Sequence, residues 1–227
     1  MKSSQSSTAV VLFARKANVE ASHKPLLNQK DRNNLLHQKL IKAAKKAAIS
    51  SSGAFYHVHE NIQVGDTFGE RISNSARDVF AKGYDRVILI GGDCPGLSSH
   101  DIDKAISSFD DDKIVLGPDQ HGGAYLISIS KEAFNKIDFK NLQWNTSRLF
   151  TDLKKFALDK HIEVTELQKK IDLNSDEDVF EYASTFELKN ILVSIFTSRF
   201  ERLLETNRPT LKRPSVTPDH RGPPIAA

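Results

Sequence analysis

The stretch Arg-Val-Ile-Leu-Ile-Gly-Gly-Asp-Cys-Pro-Gly-Leu, residues 86–97, constrains the fold more than any other. After Arg86 its residues are branched and apolar as far as Ile90, which predicts a short strand buried on both faces. Gly91 and Gly92 end that strand and deliver an acid, Asp93, at its carboxyl end. Pro95 and Gly96 turn the chain, and the residues from Ser98 onward open a helix. Open α/β sheets bind their ligands at the carboxyl ends of central strands. Asp93 is therefore a candidate metal ligand. The alternative is a turn acid that accepts hydrogen bonds from the N–H groups after it.

The flanking chain supplies the rest of an α/β sheet. Residues 9–13, Ala-Val-Val-Leu-Phe, form a continuous apolar run that predicts a buried parallel strand. Residues 14–30 read as a polar loop carrying Arg15, Lys16 and Lys24 but no glycine. A backbone that cradles phosphate ordinarily uses glycine, so this absence matters. A helix is expected over 31–49, with Asp31 as its cap and Leu36, Leu40, Ile41 and Ala44 on one face. Alternation predicts a strand at 54–59, and after the loop 63–71 a helix runs to about Lys82, closed by Gly83. Strands at 114–116 and 124–128 flank a loop holding His121, Gly122 and Gly123, whose backbone can approach a ligand closely. Residues 134–139 read as a connection, and Asn145 or Thr146 as the cap of a helix ending near Leu158. A strand at 162–167 and a helix capped by Ser175 or Asp176 follow.

With 227 residues, the chain suits one sizeable domain, 8–182, plus an amphipathic helix, 183–206, and a proline-rich tail, 207–227. Asp110-Asp111-Asp112 reads as a solvated acidic turn. A net charge of +3 argues against a dedicated nucleic-acid binder. A lone cysteine, Cys94, excludes an intrachain disulfide and fits a reducing compartment. The apolar run 9–14 is too short for a signal segment or a membrane span. The expectation is a soluble cytoplasmic protein.

The series of motifs resembles a bacterial family, DUF2064, also named for an association with radical-SAM and selenodomain proteins. The likeness runs over about residues 8–182. It is carried by Gln63-x-Gly65 with Gly69-Glu70-Arg71, by Gly-Gly-Asp-Cys-Pro-Gly, by Gly117-Pro118 with Gly122-Gly123-x-Tyr125-Leu126, by Trp144 and by Asp172. The resemblance implies a three-layer α/β GT-A fold, Rossmann-like, with a mainly parallel mixed sheet. It also implies a transferase that takes a nucleotide or nucleotide-sugar donor. On it, Asp93 holds Mg2+ or Mn2+ near the donor phosphates, with Asp172 as partner ligand. Lys24 joins Asp93 as a catalytic candidate. Arg15, Gln63, Arg71, Gly92, His121, Gly122, Gly123, Tyr125 and Trp144 are candidate contacts to the nucleotide. For Tyr125 and Trp144 a place in the core or in a pocket wall is the alternative, for His121 a plain polar loop residue, and for Lys24 a surface lysine.

The departures from the family pattern lie mostly in the first loop. Its glycine is gone, its arginine is Leu26, and Lys24 is retained. The acid of the glycine loop is replaced by His121, and the following tyrosine by Ala124. Three functions stay open: a glycosyl- or nucleotidyltransferase, a nucleotide or sugar-phosphate binder without turnover, and an interaction protein. The last would dock a partner, or a second copy of the chain in a homo-oligomer, through residues 187–205 and the tail.

Overall fold

The computed structural model describes residues 7–108 and 113–184. The acidic turn at 110–112, the helix expected at 187–205 and the tail lie outside the described residues. A six-stranded sheet forms the middle layer, in the order β2-β1-β3-β5-β4-β6. Its strands are β1 (Thr8–Phe13), β2 (Ala54–Val58), β3 (Arg86–Ile90), β4 (Lys113–Pro118), β5 (Ala124–Ser130) and β6 (Glu163–Glu166). Only β5 runs against its neighbours, β3 and β4. The remaining pairings are parallel, as a mainly parallel mixed sheet requires.

Every residue of β3 is buried, and this follows from its place between β1 and β5. Side chains alternate across a strand. Val87 and Leu89 therefore face one layer of helices, α3 (Phe68–Ala81), α5 (Lys131–Lys136) and α6 (Leu149–Asp159). Ile88 and Ile90 face the other, α2 (Lys30–Ile49) and α4 (Ser99–Ser107). Even Arg86 is covered, and its guanidinium donates to Ser128 Oγ on β5 at 3.2 Å. A smaller cluster of Leu26, Leu36, Leu40, Leu173, Val179 and Tyr182 packs α7 (Asp176–Ser184) onto α2. Among the described residues no helix is long and apolar enough to cross a membrane.

Two helices start on reciprocal capping boxes. Thr67 and Glu70 exchange side-chain and backbone bonds at α3, and Ser98 and Asp101 do so at α4. Four sequence expectations are corrected. The segment 14–30 is not all loop, because α1 (Ala17–His23) forms there, with Ala21 buried beside α2. At α2 the N-cap is Gln29, and Asp31 lies in the first turn, where the helix dipole favours an acid. The segment 134–139 is mostly helical. Ser130 Oγ accepts from Ala133 N–H to start α5, and a 3₁₀ turn follows at Phe139–Asn141. Neither Asn145 nor Thr146 caps α6, which begins at Leu149. Asn145 is left-handed (φ 58), and a helix cannot pass through that conformation.

The helix layer over β3 is closely fitted at Gly69 in α3. A Cβ added there would meet the backbone carbonyl of Lys140 and, at 2.9 Å, the ring of Trp144. Backbone cannot yield as a flexible side chain does. Gly69→Ala should therefore lower the unfolding free energy by about 1–3 kcal/mol in urea titration. A variant as stable as the wild type would refute this close approach.

Candidate functional site

β1 and β3 are parallel neighbours, with Leu12 beside Ile90, so their carboxyl ends open on the same edge of the sheet. A cavity of about 510 Å³ lies there. Phe13 and Ala14 leaving β1, with Gly91 and Gly92 leaving β3, form its base. Space is tight at Gly92, where a Cβ would displace the Ile41 side chain and come within 3.2 Å of Ala14 Cβ.

Asp93 enters the cavity from β3. Its backbone carbonyl accepts from Leu173 N–H at 2.9 Å, which draws residues 172–174 alongside the strand end. Asp172 and Asn174 thereby reach the cavity as well. Burial pushes the Asp172 carboxyl up to about 7, and the negative charge of Asp93 adds to the shift while Lys24 opposes it. Lys24 donates to Asp93 Oδ2 at 2.7 Å and to Asn174 Oδ1 at 2.9 Å.

The segment 172–175 is held from behind by Asp178, a buried acid of α7. Its Oδ2 accepts from Asn174 N–H at 2.7 Å and Ser175 N–H at 2.9 Å. Its Oδ1 accepts from Gln120 Nε2 at 3.0 Å and meets His121 Nε2 at 2.8 Å. Burial alone would raise the pKa of Asp178, but these bonds and the His121 charge hold it below the usual carboxylate value.

Lys24 is fixed from the other side by two buried side chains of α2. Asn33 Nδ2 donates to the carbonyls of Ala21 and Lys24, and Asn33 Oδ1 accepts from the N–H groups of Leu26 and Leu27. His37 Nε2 donates to the Lys24 carbonyl at 2.8 Å. The remaining wall carries Gln63, Phe68, Arg71 and Asn145. Gln63 Nε2 donates to the Val58 carbonyl, and Arg71 to the Asp66 carbonyl. Phe68 meets Phe13 edge to face at 5.4 Å. Near the mouth Arg15 pairs with Glu20 at 3.2 Å.

The structure thus brings together Arg15, Lys24, Gln63, Arg71, Gly92, Asp93 and Asp172. It places the other sequence candidates outside this lining. His121 pairs with Asp178, and Gly122 turns left-handed (φ 86) where a Cβ would strike the Ser147 carbonyl. Gly123 leaves room for the Asp119 carboxylate, which accepts from the N–H groups of His121 and Gly123. Tyr125 is core: its ring covers Gly117 and its hydroxyl donates to the Gln168 carbonyl. Trp144 packs behind Phe68 and donates Nε1–H to the Phe139 carbonyl. Cys94 is buried, and burial pushes its thiol pKa up, away from the thiolate a nucleophile needs. Sequence reasoning did not single out His23, Glu20 or Asn174 as lining. Asn174 carried a signal, since it lies only two residues from Asp172.

The donor chemistry fits a hard divalent cation. Asp93, Asp172 and the Asn174 carbonyl oxygen offer oxygen atoms, and the Lys24 charge opposes the repulsion between the two acids. Among the described residues no group of three or more His, Cys, Asp or Glu is placed to hold a metal. Water and ligand oxygens would complete the shell of a Mg2+ ion.

This strand order and this site define a GT-A-type α/β domain. The chain belongs to the family described as an uncharacterized protein conserved in bacteria, DUF2064, which it matches over residues 27–146. Lys24 and Asp172 come from either side of that segment. The fold is similar to a provisionally assigned nucleotide-diphospho-sugar transferase from Desulfovibrio desulfuricans G20. The TM-score is 0.66 at 17% identity, over 88% of this chain and 96% of that one. Two more distant likenesses are a nucleotidyl transferase from Methanothermobacter (TM-score 0.49, 15% identity, 81% and 99% covered) and a cytidylyltransferase from Leptospira borgpetersenii (0.49, 14%, 84% and 96%). At these identities the likeness speaks to the fold. No curated protein matches the chain.

A raised carboxyl pKa has a sign. Folded Asp172 takes up a proton that the unfolded chain releases between about pH 4 and pH 7, so its contribution disfavours folding as pH rises through that window. Asp172→Asn should therefore gain stability over the wild type at pH 8 in EDTA, by up to about 4 kcal/mol at about 1.4 kcal/mol per pH unit. The gain should vanish by pH 3.5. Urea titration at both pH values checks this, and a pH-independent difference would contradict it.

Proposed function

We propose that this protein is a metal-assisted transferase that takes a nucleotide-activated donor and passes on its glycosyl or nucleotidyl group. One observation carries the reading. Two carboxylates, Asp93 and Asp172, meet Lys24, Arg15 and Arg71 in a single cavity at the carboxyl ends of β1 and β3. That cavity is large enough for a nucleotide-sized ligand. Asp93 and Asp172 are the residues that would hold Mg2+ or Mn2+, and Asn174 lies beside them. A bound divalent cation supplies charge neutralisation for the diphosphate that leaves. Lys24 and Arg15 give further cationic contacts, worth a few kcal/mol each when aimed at developing charge. Phe13, Phe68 and the Gln63 amide offer stacking surface and hydrogen bonds for the base or sugar.

The glycine-free first loop changes how phosphate is held. Its residues fold into α1, so the grip rests on side chains instead of a backbone nest. The similar fold of the Desulfovibrio protein, itself provisionally assigned as a nucleotide-diphospho-sugar transferase, supports the same class. A second reading, donor binding without turnover, is favoured by the ammonium of Lys24 already seated on Asp93.

The test is a thermal-shift panel of nucleoside diphosphates, triphosphates and diphospho-sugars, with and without Mg2+ or Mn2+. One base should raise Tm in a metal-dependent way. A concentration of one hundred times Kd corresponds to about 2.7 kcal/mol, or several degrees. Asp93→Ala should lose that shift, and turnover of radiolabelled donor should fall at least 100-fold. Binding without turnover in the wild type selects the second reading. If no nucleotide moves Tm, both readings fall.

A further inference from the structure

We propose that Lys24 is the resident counter-charge of the Asp93 carboxylate and competes with a divalent cation for it. The inference rests on the reading of Asp93 and Asp172 as a cation-holding pair. Three observations carry it. First, the ammonium is bound to both sides of the site, to Asp93 Oδ2 at 2.7 Å and Asn174 Oδ1 at 2.9 Å. The lysine and aspartate side chains are only 20% and 23% exposed, so water screens their pair incompletely.

Second, the lysine is anchored at its backbone, as a floppy surface lysine is not. Its N–H donates to the Glu20 carbonyl at 2.8 Å, and its carbonyl accepts from both Asn33 and His37. Pro25 restricts the next bond, and Asn33 Oδ1 takes the N–H groups of Leu26 and Leu27. Asn33 and His37 are buried on the face of α2 that packs the core. The Asn33 amide and His37 Nε2 are directed at this one turn. His37 and Asn33 are thus positioning residues, which act on the site through Lys24.

Third, three oxygen-bearing side chains meet here, and the ammonium already takes two of them. A divalent ion that arrives alone meets a fixed positive charge on its strongest ligand. An anionic ligand would draw the ammonium away and lower that barrier, which makes cation and phosphate entry cooperative. Lys24 thereby offsets the negative charge of the paired acids.

The experiment measures Mn2+ binding to the full chain, without nucleotide, by water-proton relaxation. Lys24→Met and Lys24→Gln should each bind Mn2+ at least tenfold more tightly than the wild type. Asn33→Ala should move in the same direction by less, because it frees the lysine without removing it. Melting curves establish that each protein is folded, and the two lysine variants cover for each other. Equal or weaker Mn2+ binding by the folded lysine variants overturns the proposal, as does a lack of binding by all proteins. The nucleotide thermal-shift panel judges the donor reading separately. Tighter Mn2+ in the variants with no nucleotide response keeps the counter-charge and removes the transferase.

Discussion

The hydrogen bond from Leu173 N–H to the carbonyl of Asp93 joins the end of a central strand to a segment eighty positions later. The reach of the site into the late chain depends on it. Together with the Lys170–Pro118 backbone bond and the packing of Leu173, it sets Asp172 and Asn174 beside the strand end. Leu173 itself is fully buried in the satellite cluster with Leu26 and Leu36. Apolar packing therefore delivers the N–H, and the N–H delivers the two polar side chains on either side of it. This is an economical arrangement, since one buried leucine carries both of its chain neighbours into the cavity lining.

Support for that segment comes from a second acid with a different task. Asp178 never reaches the cavity; it terminates the backbone N–H groups that open α7 and ties them to Gln120 and His121. Acids in this region thus divide by environment. Asp178 has donors on both oxygens and stays ionised. Asp172 faces another carboxylate and holds its proton more tightly. The β4–β5 turn is therefore coupled to the site through α7, although it does not line it. Asp119, also buried, plays the equivalent part inside the turn by accepting from His121 and Gly123 N–H.

The strands β1, β3, β4 and β5 were readable because they are short apolar runs, each marking burial on two faces, and β2 was readable by alternation. The strand end at Asp93 was legible from the residues themselves, whereas Arg15, Lys24, Gln63, Arg71 and Asp172 were brought together on paper through the resemblance to the family. Other parts were not legible for physical reasons. α1 has seven residues, no side-chain cap and weak patterning, so its formation depends on packing against α2. Glycines report that a backbone is crowded but not by what. Gly122 and Gly123 are crowded by Ser147 and by Asp119, not by a ligand cavity. Asn145 broke the expected helix start through its own backbone angle, which no propensity scale specifies for a single residue. The pair Asn33 and His37 left a faint mark: two polar residues four apart on a face otherwise filled by leucines and alanines.

That residues 14–30 hold the helix α1 and no glycine has an evolutionary reading. A phosphate cradle made of backbone amides is the same for every sequence that can adopt it, so its chemistry is hard to vary without losing the turn. A wall built from Arg15, His23 and Lys24, before, on and after a short helix, is different. Each contact sits on its own side chain, and each can be exchanged by one codon while the scaffold stays intact. A cavity of this kind can drift from one anionic ligand to another by small steps, with the sheet beneath it unchanged.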